Sequence, residues 1–116
     1  MDYTDRLRRL AINDERLAED DLGVLGVGAE SLDPKSLALA RVAALVAVGG
    51  AEPSFGSQAD AAVSAGATPS EIVDVLVGII PVVGLPRVVA AAPKVAMALG
   101  YDLDEVLDQS AGAPRD

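Results

Sequence analysis

A chain of 116 residues with a net charge of −9 fits one domain, and its surface suits neither nucleic acid nor an anionic membrane, since both need clustered Lys and Arg. It contains no Cys and no His, which excludes disulfides, thiolate catalysis and cysteine-based metal sites, and removes the commonest general base. Hydrophobic residues make up 51% of the chain and aromatics 3%, so Ala, Val and Leu must build the core, with helices in close approach.

The first stretch, Asp2–Leu22, reads as a charged amphipathic helix. Thr4 is its candidate N-cap. Leu7, Leu10, Ala11, Leu17 and Ala18 recur at three-and-four spacing on one face, interrupted by Asp14. Mixed charge on the other face predicts a solvated helix lying on the body of the protein, with partner docking as the alternative. Met1 is followed within a few residues by charge, with no apolar leader, so the chain reads as a soluble cytoplasmic domain. Gly23–Leu32 is a glycine-containing linker.

Asp33-Pro34 marks a helix start. Asp33 can cap, and Pro34 suits the first helical position because its missing N–H would be unpaired there. This helix runs Leu37 to Val48, carries Arg41 as a lone charge, and stops at Gly49-Gly50. Pro53 opens the next, which runs to Ala65 and ends at Gly66. Its polar side is Ser54, Ser57, Gln58 and Asp60; its apolar side is Phe55, Ala59, Ala62 and Val63.

Thr68-Pro69-Ser70-Glu71 has the pattern of a capping box, in which the Thr68 hydroxyl and the Glu71 carboxylate each accept from the other residue's backbone N–H. It opens Ile72–Val83, apolar nearly all round apart from Asp74. As a helix this must be the central one, kinked in its last turn by Pro81. It presents more apolar surface than a monomer of this size covers, which predicts a subunit interface. Pro86 starts a helix to Leu99 that Pro93 should kink and Gly100 should stop. Asp102-Leu103-Asp104-Glu105 predicts a short helix ending near Gln109. Val75–Leu85 is the longest uncharged apolar run and is too short to span a bilayer.

The expectation is an all-α domain of five to six helices around a buried helical hairpin. Residues 1–31 form the charged helix and linker, 32–109 the helical domain, and 110–116 a flexible tail. The Val content keeps an α/β alternative open.

These residues bring a family into view. Leu32-Asp33-Pro34-Lys35, then an apolar helix and a polar turn, then Ala65-Gly66-Ala67-Thr68-Pro69-Ser70-Glu71-Ile72, then Pro81-Val82-Val83-Gly84-Leu85-Pro86-Arg87, resembles the carboxymuconolactone decarboxylase family, which includes the alkylhydroperoxidase D-like proteins. The resemblance spans about Leu32–Leu99. It implies an all-helical fold whose helical hairpin assembles into homo-trimers or hexamers. In the family's redox members a Cys-x-x-Cys-x-x-x-His motif opens the helix before the Ala-Gly hinge, and a Glu on the preceding helix completes a proton relay. Counted back from Gly66, the cysteine positions fall on Ala51 and Ser54, the His on Gln58, and the Glu on Ala38 or Leu39. None of these can supply a thiolate or shuttle a proton, so thiol peroxidase chemistry is excluded. Decarboxylation in the namesake branch leans on a His, which is also absent; this weakens a decarboxylase reading and leaves it open.

The same pocket, refurnished, is the candidate ligand site: Glu52, Ser54, Ser57, Gln58 and Asp60, facing the ends near Pro81 and Arg87. Hydroxyls and an amide in an apolar cleft orient small ligands. The plain alternative has Ser54 capping its helix, Ser57 and Gln58 bonded locally, and Glu52 solvated. Arg87 is either an anchor for a carboxylate or the partner of Asp74, Glu71 or a neighbouring subunit. Arg41 is a paired structural ion or an anion site, and Asp74 should be paired or near a helix end. Scattered carboxylates give no metal site, and no cofactor is called for. Three functions follow: a non-redox oligomeric protein that binds a small molecule or supports a partner; an enzyme on a small carboxylate or lactone using Arg87 with Glu52 or Asp60; or a purely structural oligomerisation module.

Overall fold

The computed structural model describes residues 3–14 and 31–101. The chain divides into two compact units, Met1–Leu32 and Asp33–Asp116, and each is taken by itself.

In the first unit, α1 spans Tyr3–Ala11. Asp5 ties its first turn to its last through Arg8 at 3.2 Å and Arg9 at 3.4 Å. The sequence predicts a helix as far as Leu22, but α1 stops at Ala11. Asn13 takes φ 54°, its N–H donates to Leu10 O at 3.2 Å, and the Asp14 N–H donates to Arg9 O at 2.9 Å. That is a Schellman ending, with Asn taking the left-handed position that glycine usually fills. The charge pattern of the helix continues past a residue that closes it. Positions 15–22 lie outside the described residues.

In the second unit, α2 (Pro34–Val48), α3 (Glu52–Ser64), α4 (Pro69–Gly78), α5 (Ile80–Val83) and α6 (Leu85–Ala98) follow one another, and the described residues contain no strand. The all-α expectation therefore stands. The start of α2 is closed as its sequence implies. Asp33 Oδ1 accepts from the Ser36 N–H and Oδ2 from the Ser36 hydroxyl, both at 2.8 Å, and these bonds hold the Asp33 carboxyl below its ordinary pKa. The capping box of α4 is also present. The Glu71 N–H donates to Thr68 Oγ1 at 3.1 Å and the Thr68 N–H to Glu71 Oε1 at 3.0 Å. The other carboxylate oxygen of Glu71 accepts from Lys35 Nζ at 2.8 Å, joining the starts of α2 and α4. This hydrogen bond is the main cause of a lowered Glu71 pKa and a raised Lys35 pKa. Both side chains are more than a third exposed, so the pair pins geometry more than it adds stability.

Gly66 and Gly100 end α3 and α6 in Schellman form at φ 102° and φ 87°, a conformation that costs glycine no Cβ clash. The short helix expected at 102–109 lies outside the described residues.

Two expectations need correction. The apolar stretch Ile72–Val83 is not one kinked helix. It is two helices, broken at Ile79. Pro81 cannot donate the bond that would carry α4 onward, and it sits instead in the first turn of α5, where an N–H is not needed. Nor is α4 the central helix. Only Ile72 and Leu76 are buried along it, while Val73 and Val77 are exposed. The middle position belongs to α3, which packs most extensively against α2 on one side and α6 on the other. Its buried residues Phe55, Ala59 and Ala62 follow at i, i+4 and i+7, and two of these are alanines, which let neighbouring helices approach closely. Phe55 and Ala62 share one hydrophobic cluster with Val42 and Val46 of α2 and Val88, Ala91 and Val95 of α6. The helix α6 continues through Pro93, which is exposed on its outer side.

Candidate functional site

The turn between α2 and α3 is where chemistry was expected, and its geometry follows from two glycines and a ring. Gly49 closes α2 by donating its N–H to Leu45 O at 2.8 Å. Gly50 lets Leu45 and Phe55 crowd the turn: a Cβ there would stand 2.7 Å from Leu45 Cδ1 and 3.6 Å from the Phe55 ring. Two cations reach this turn from α6. Lys94 Nζ donates to Gly50 O at 2.7 Å and lies 5.7 Å from the centre of the Phe55 ring. Arg87 Nη1 would stand 3.9 Å from a Cβ at Gly49. Seven residues are close to two helical turns, so Arg87 and Lys94 share a face of α6.

Helix α3 opens at Glu52, with Ala51 as N-cap and no side-chain cap. Ser54 therefore does not cap it. Its backbone N–H instead donates to Ala51 O at 3.1 Å, because Pro53 occupies the first turn and the helix begins a residue ahead of it. Glu52, Ser54 and Ser57 are exposed. Gln58 is half-buried and lines an open groove of about 310 Å³ with Arg41, Ala44, Leu45 and Val48 of α2. Asp60 faces a different groove, about 520 Å³, with Val63, Ser64, Pro69, Ala98 and Leu99. Val63, expected on the buried side, is 49% exposed.

The candidates thus divide. Gln58 sits in a groove, Arg87 reaches the α2–α3 turn, and Glu52, Ser54 and Ser57 point outward. The ion pairs expected for Arg87 and Arg41 do not form among the described residues: Glu71 is taken by Lys35, and Asp74 is exposed on α4. No group of three or more acidic, His or Cys side chains converges as a metal site among the described residues. No described helix is long and apolar enough to cross a membrane.

The sequence leaves Arg41 open between a paired ion and an anion site, and gives no local sign that Lys94 meets the α2–α3 turn. The signal for Arg41 was present: with Ala44, Leu45 and Val48 it forms an i, i+3, i+4, i+7 stripe, one flank of α2. The groove combines a guanidinium, a carboxamide and aliphatic side chains. Such a set can offer hydrogen bonds and apolar contact to a ligand; it holds no nucleophile and no group that titrates near neutrality.

No curated protein and no solved structure matches this sequence. The model of the carboxymuconolactone decarboxylase family matches residues 15–96, more than half of the 116-residue chain. The chain, free of cysteine and all-helical over its described residues, belongs to the carboxymuconolactone decarboxylase family.

Proposed function

We propose that this protein is a non-redox member of the carboxymuconolactone decarboxylase family that works as a homo-oligomeric small-molecule-binding or accessory protein. The observation that carries the reading is Gln58. It occupies the position that the redox motif gives to His, cannot relay a proton, and still lines an open groove beside Arg41. With Ala51 and Ser54 at the cysteine positions, the groove retains polar anchoring without thiol chemistry.

Purified protein should gain thermal stability from at least one member of a panel of small carboxylates, lactones and hydrophobic metabolites. A ligand at about a hundred times its Kd adds about 2.7 kcal/mol, several degrees in Tm for a domain of this size. Gln58→Leu should remove that gain. A flat panel, or a gain that survives Gln58→Leu, would argue against a ligand site in this groove. The exposure of Glu52, Ser54 and Ser57 favours the second reading, a structural oligomerisation module, in which Gln58→Leu is silent.

Self-association is supported by the α4–α5–α6 segment. Val77, Val82 and Val89 are 61%, 85% and 60% exposed, and Val73 and Leu85 are also uncovered in the single chain. Apolar surface of this kind marks interaction sites. Sedimentation at micromolar concentration should give a trimer or hexamer, and Val77→Asp with Val89→Asp should shift it towards monomer. A wild-type monomer under those conditions would count against the oligomer.

A further inference from the structure

We infer that the groove between α2 and α3 is a site for an aliphatic monocarboxylate, with Arg41, not Arg87, as its anchor. The inference rests on the ligand-binding reading of the same groove and adds the ligand's chemistry.

The argument begins with what Arg41 lacks. It stands mid-way along an otherwise apolar stretch of α2, too far from either end to offset the helix dipole. Among the described residues it makes no ion pair and no side-chain hydrogen bond, and neither does Gln58 across the groove. A guanidinium is always charged, and its planar fork matches a carboxylate through two parallel N–H bonds. The Gln58 carboxamide can donate a further bond to a carboxylate oxygen.

The rest of the groove sets the body of the ligand. Ala44, Leu45 and Val48 line it with methyl and methylene groups alone, and the alanine leaves room above the helix surface. From Arg41 to Val48 is seven residues, about 10 Å along the axis at 1.5 Å each. The head group is therefore anionic and the tail apolar and unbranched enough to lie along one helix flank. The chain's net charge of −9 disfavours polyanions by long-range repulsion, whereas a single charge with a buried tail gains apolar contact that the repulsion does not touch. Each fully buried methylene is worth about fourfold in affinity, less in an open groove. Arg87 serves this ligand poorly: it does not line the groove, and its guanidinium lies by Gly49, at the turn.

The test uses the full-length protein with butanoate, hexanoate and octanoate, and with octanamide as the neutral control. Binding is followed by Tm and by the side-chain amide signals of Gln58. Affinity should climb a few-fold per methylene and level off once the tail reaches Val48. Octanamide should bind about tenfold or more weakly, since the charge-assisted bonds are lost. Arg41→Gln, on an exposed position with its fold checked by circular dichroism, should weaken octanoate by a similar factor, while Arg87→Ala should leave it unchanged. Equal binding of octanoate and octanamide, or octanoate affinity that survives Arg41→Gln, would overturn the inference. Loss on Arg87→Ala alone would overturn it too, by moving the anchor. A lactone that binds and is lost on Gln58→Leu, with no octanoate binding, would sink the carboxylate assignment and leave the ligand-binding reading intact. No binding by any probe would sink both.

Discussion

Replacing Phe55 by alanine should cost the helical unit about 3–5 kcal/mol, a large share of the 5–15 kcal/mol that holds a typical domain together. Phe55 is 2% exposed, ranks among the largest fully buried side chains, and is the sole Phe in the chain. It sits in the first turn of α3, the helix packed between α2 and α6. Its ring lies against Gly50 on one side and beneath Lys94 on another. The residues around it are held by helix packing and relax only partially into the space it leaves. The cost therefore includes a cavity as well as lost apolar transfer. The Tm should fall by roughly 20 °C at 4–8 °C per kcal/mol. Because self-association would make Tm depend on concentration, variants need comparing at one protein concentration. If Phe55→Ala does not fold, Phe55→Leu should still fold with a smaller loss. A Phe55→Ala protein melting within about 1 kcal/mol of wild type would show that this ring is not a core residue.

Lys94→Met should cost about 2 kcal/mol, the second largest of the single changes considered. Methionine keeps the length and apolar character of the stem and removes the ammonium. What is lost is a charge-assisted hydrogen bond to Gly50 O at 2.7 Å, bridging residues 44 apart in sequence. Bonds to charged groups contribute about 1.5–3 kcal/mol, and partial burial places this one towards the lower half of that range. The ring contact at 5.7 Å adds about 0.5 kcal/mol, being near the limit of cation–π range. The Gly50 carbonyl also loses its partner in a part-buried turn. Denaturant titration reads the loss as a lower midpoint with an unchanged slope. A double-mutant cycle with Phe55→Leu should show coupling of a few tenths of a kcal/mol. A midpoint equal to wild type would mean that Gly50 O is satisfied as well by water.

Phe55 lies in the first turn of α3, beside the α2–α3 turn, and Lys94 reaches the same turn from α6. Lys94 closes the turn onto α6, and Phe55 fills the space beneath it. The turn is thus held by packing and a long-range hydrogen bond, while the groove lined by Arg41 and Gln58 runs along one flank of α2.

Much of the helical layout was legible in the residues because helix ends are local devices. Asp33-Pro34, Thr68 with Glu71, Gly66 and Gly100 each close their bonds within three to five positions, so spacing alone specifies them. The family was legible for a related reason: the hinge, the capping box and the Gly84-Leu85-Pro86-Arg87 exit are contiguous strings. That the chain offers no thiolate is read directly from its lack of Cys. The break at Ile79 was misread because a proline after an apolar run is compatible both with a kink and with a new first turn. Nothing local separates the two.

What only the tertiary structure decided is which flank each helix buries and which charges meet. Helix α2 is apolar nearly all round, so periodicity gives it no preferred face. Its buried line of Ala38, Val42 and Val46 is chosen by packing against α3, and that choice leaves Arg41 on an open flank beside Gln58. The pairing of Lys35 with Glu71 and of Lys94 with Gly50 spans 36 and 44 residues. Contacts at that separation depend on how rigid helices cross, and the crossing is set by the summed shape of small side chains at each interface, a property that no single stretch of the sequence carries.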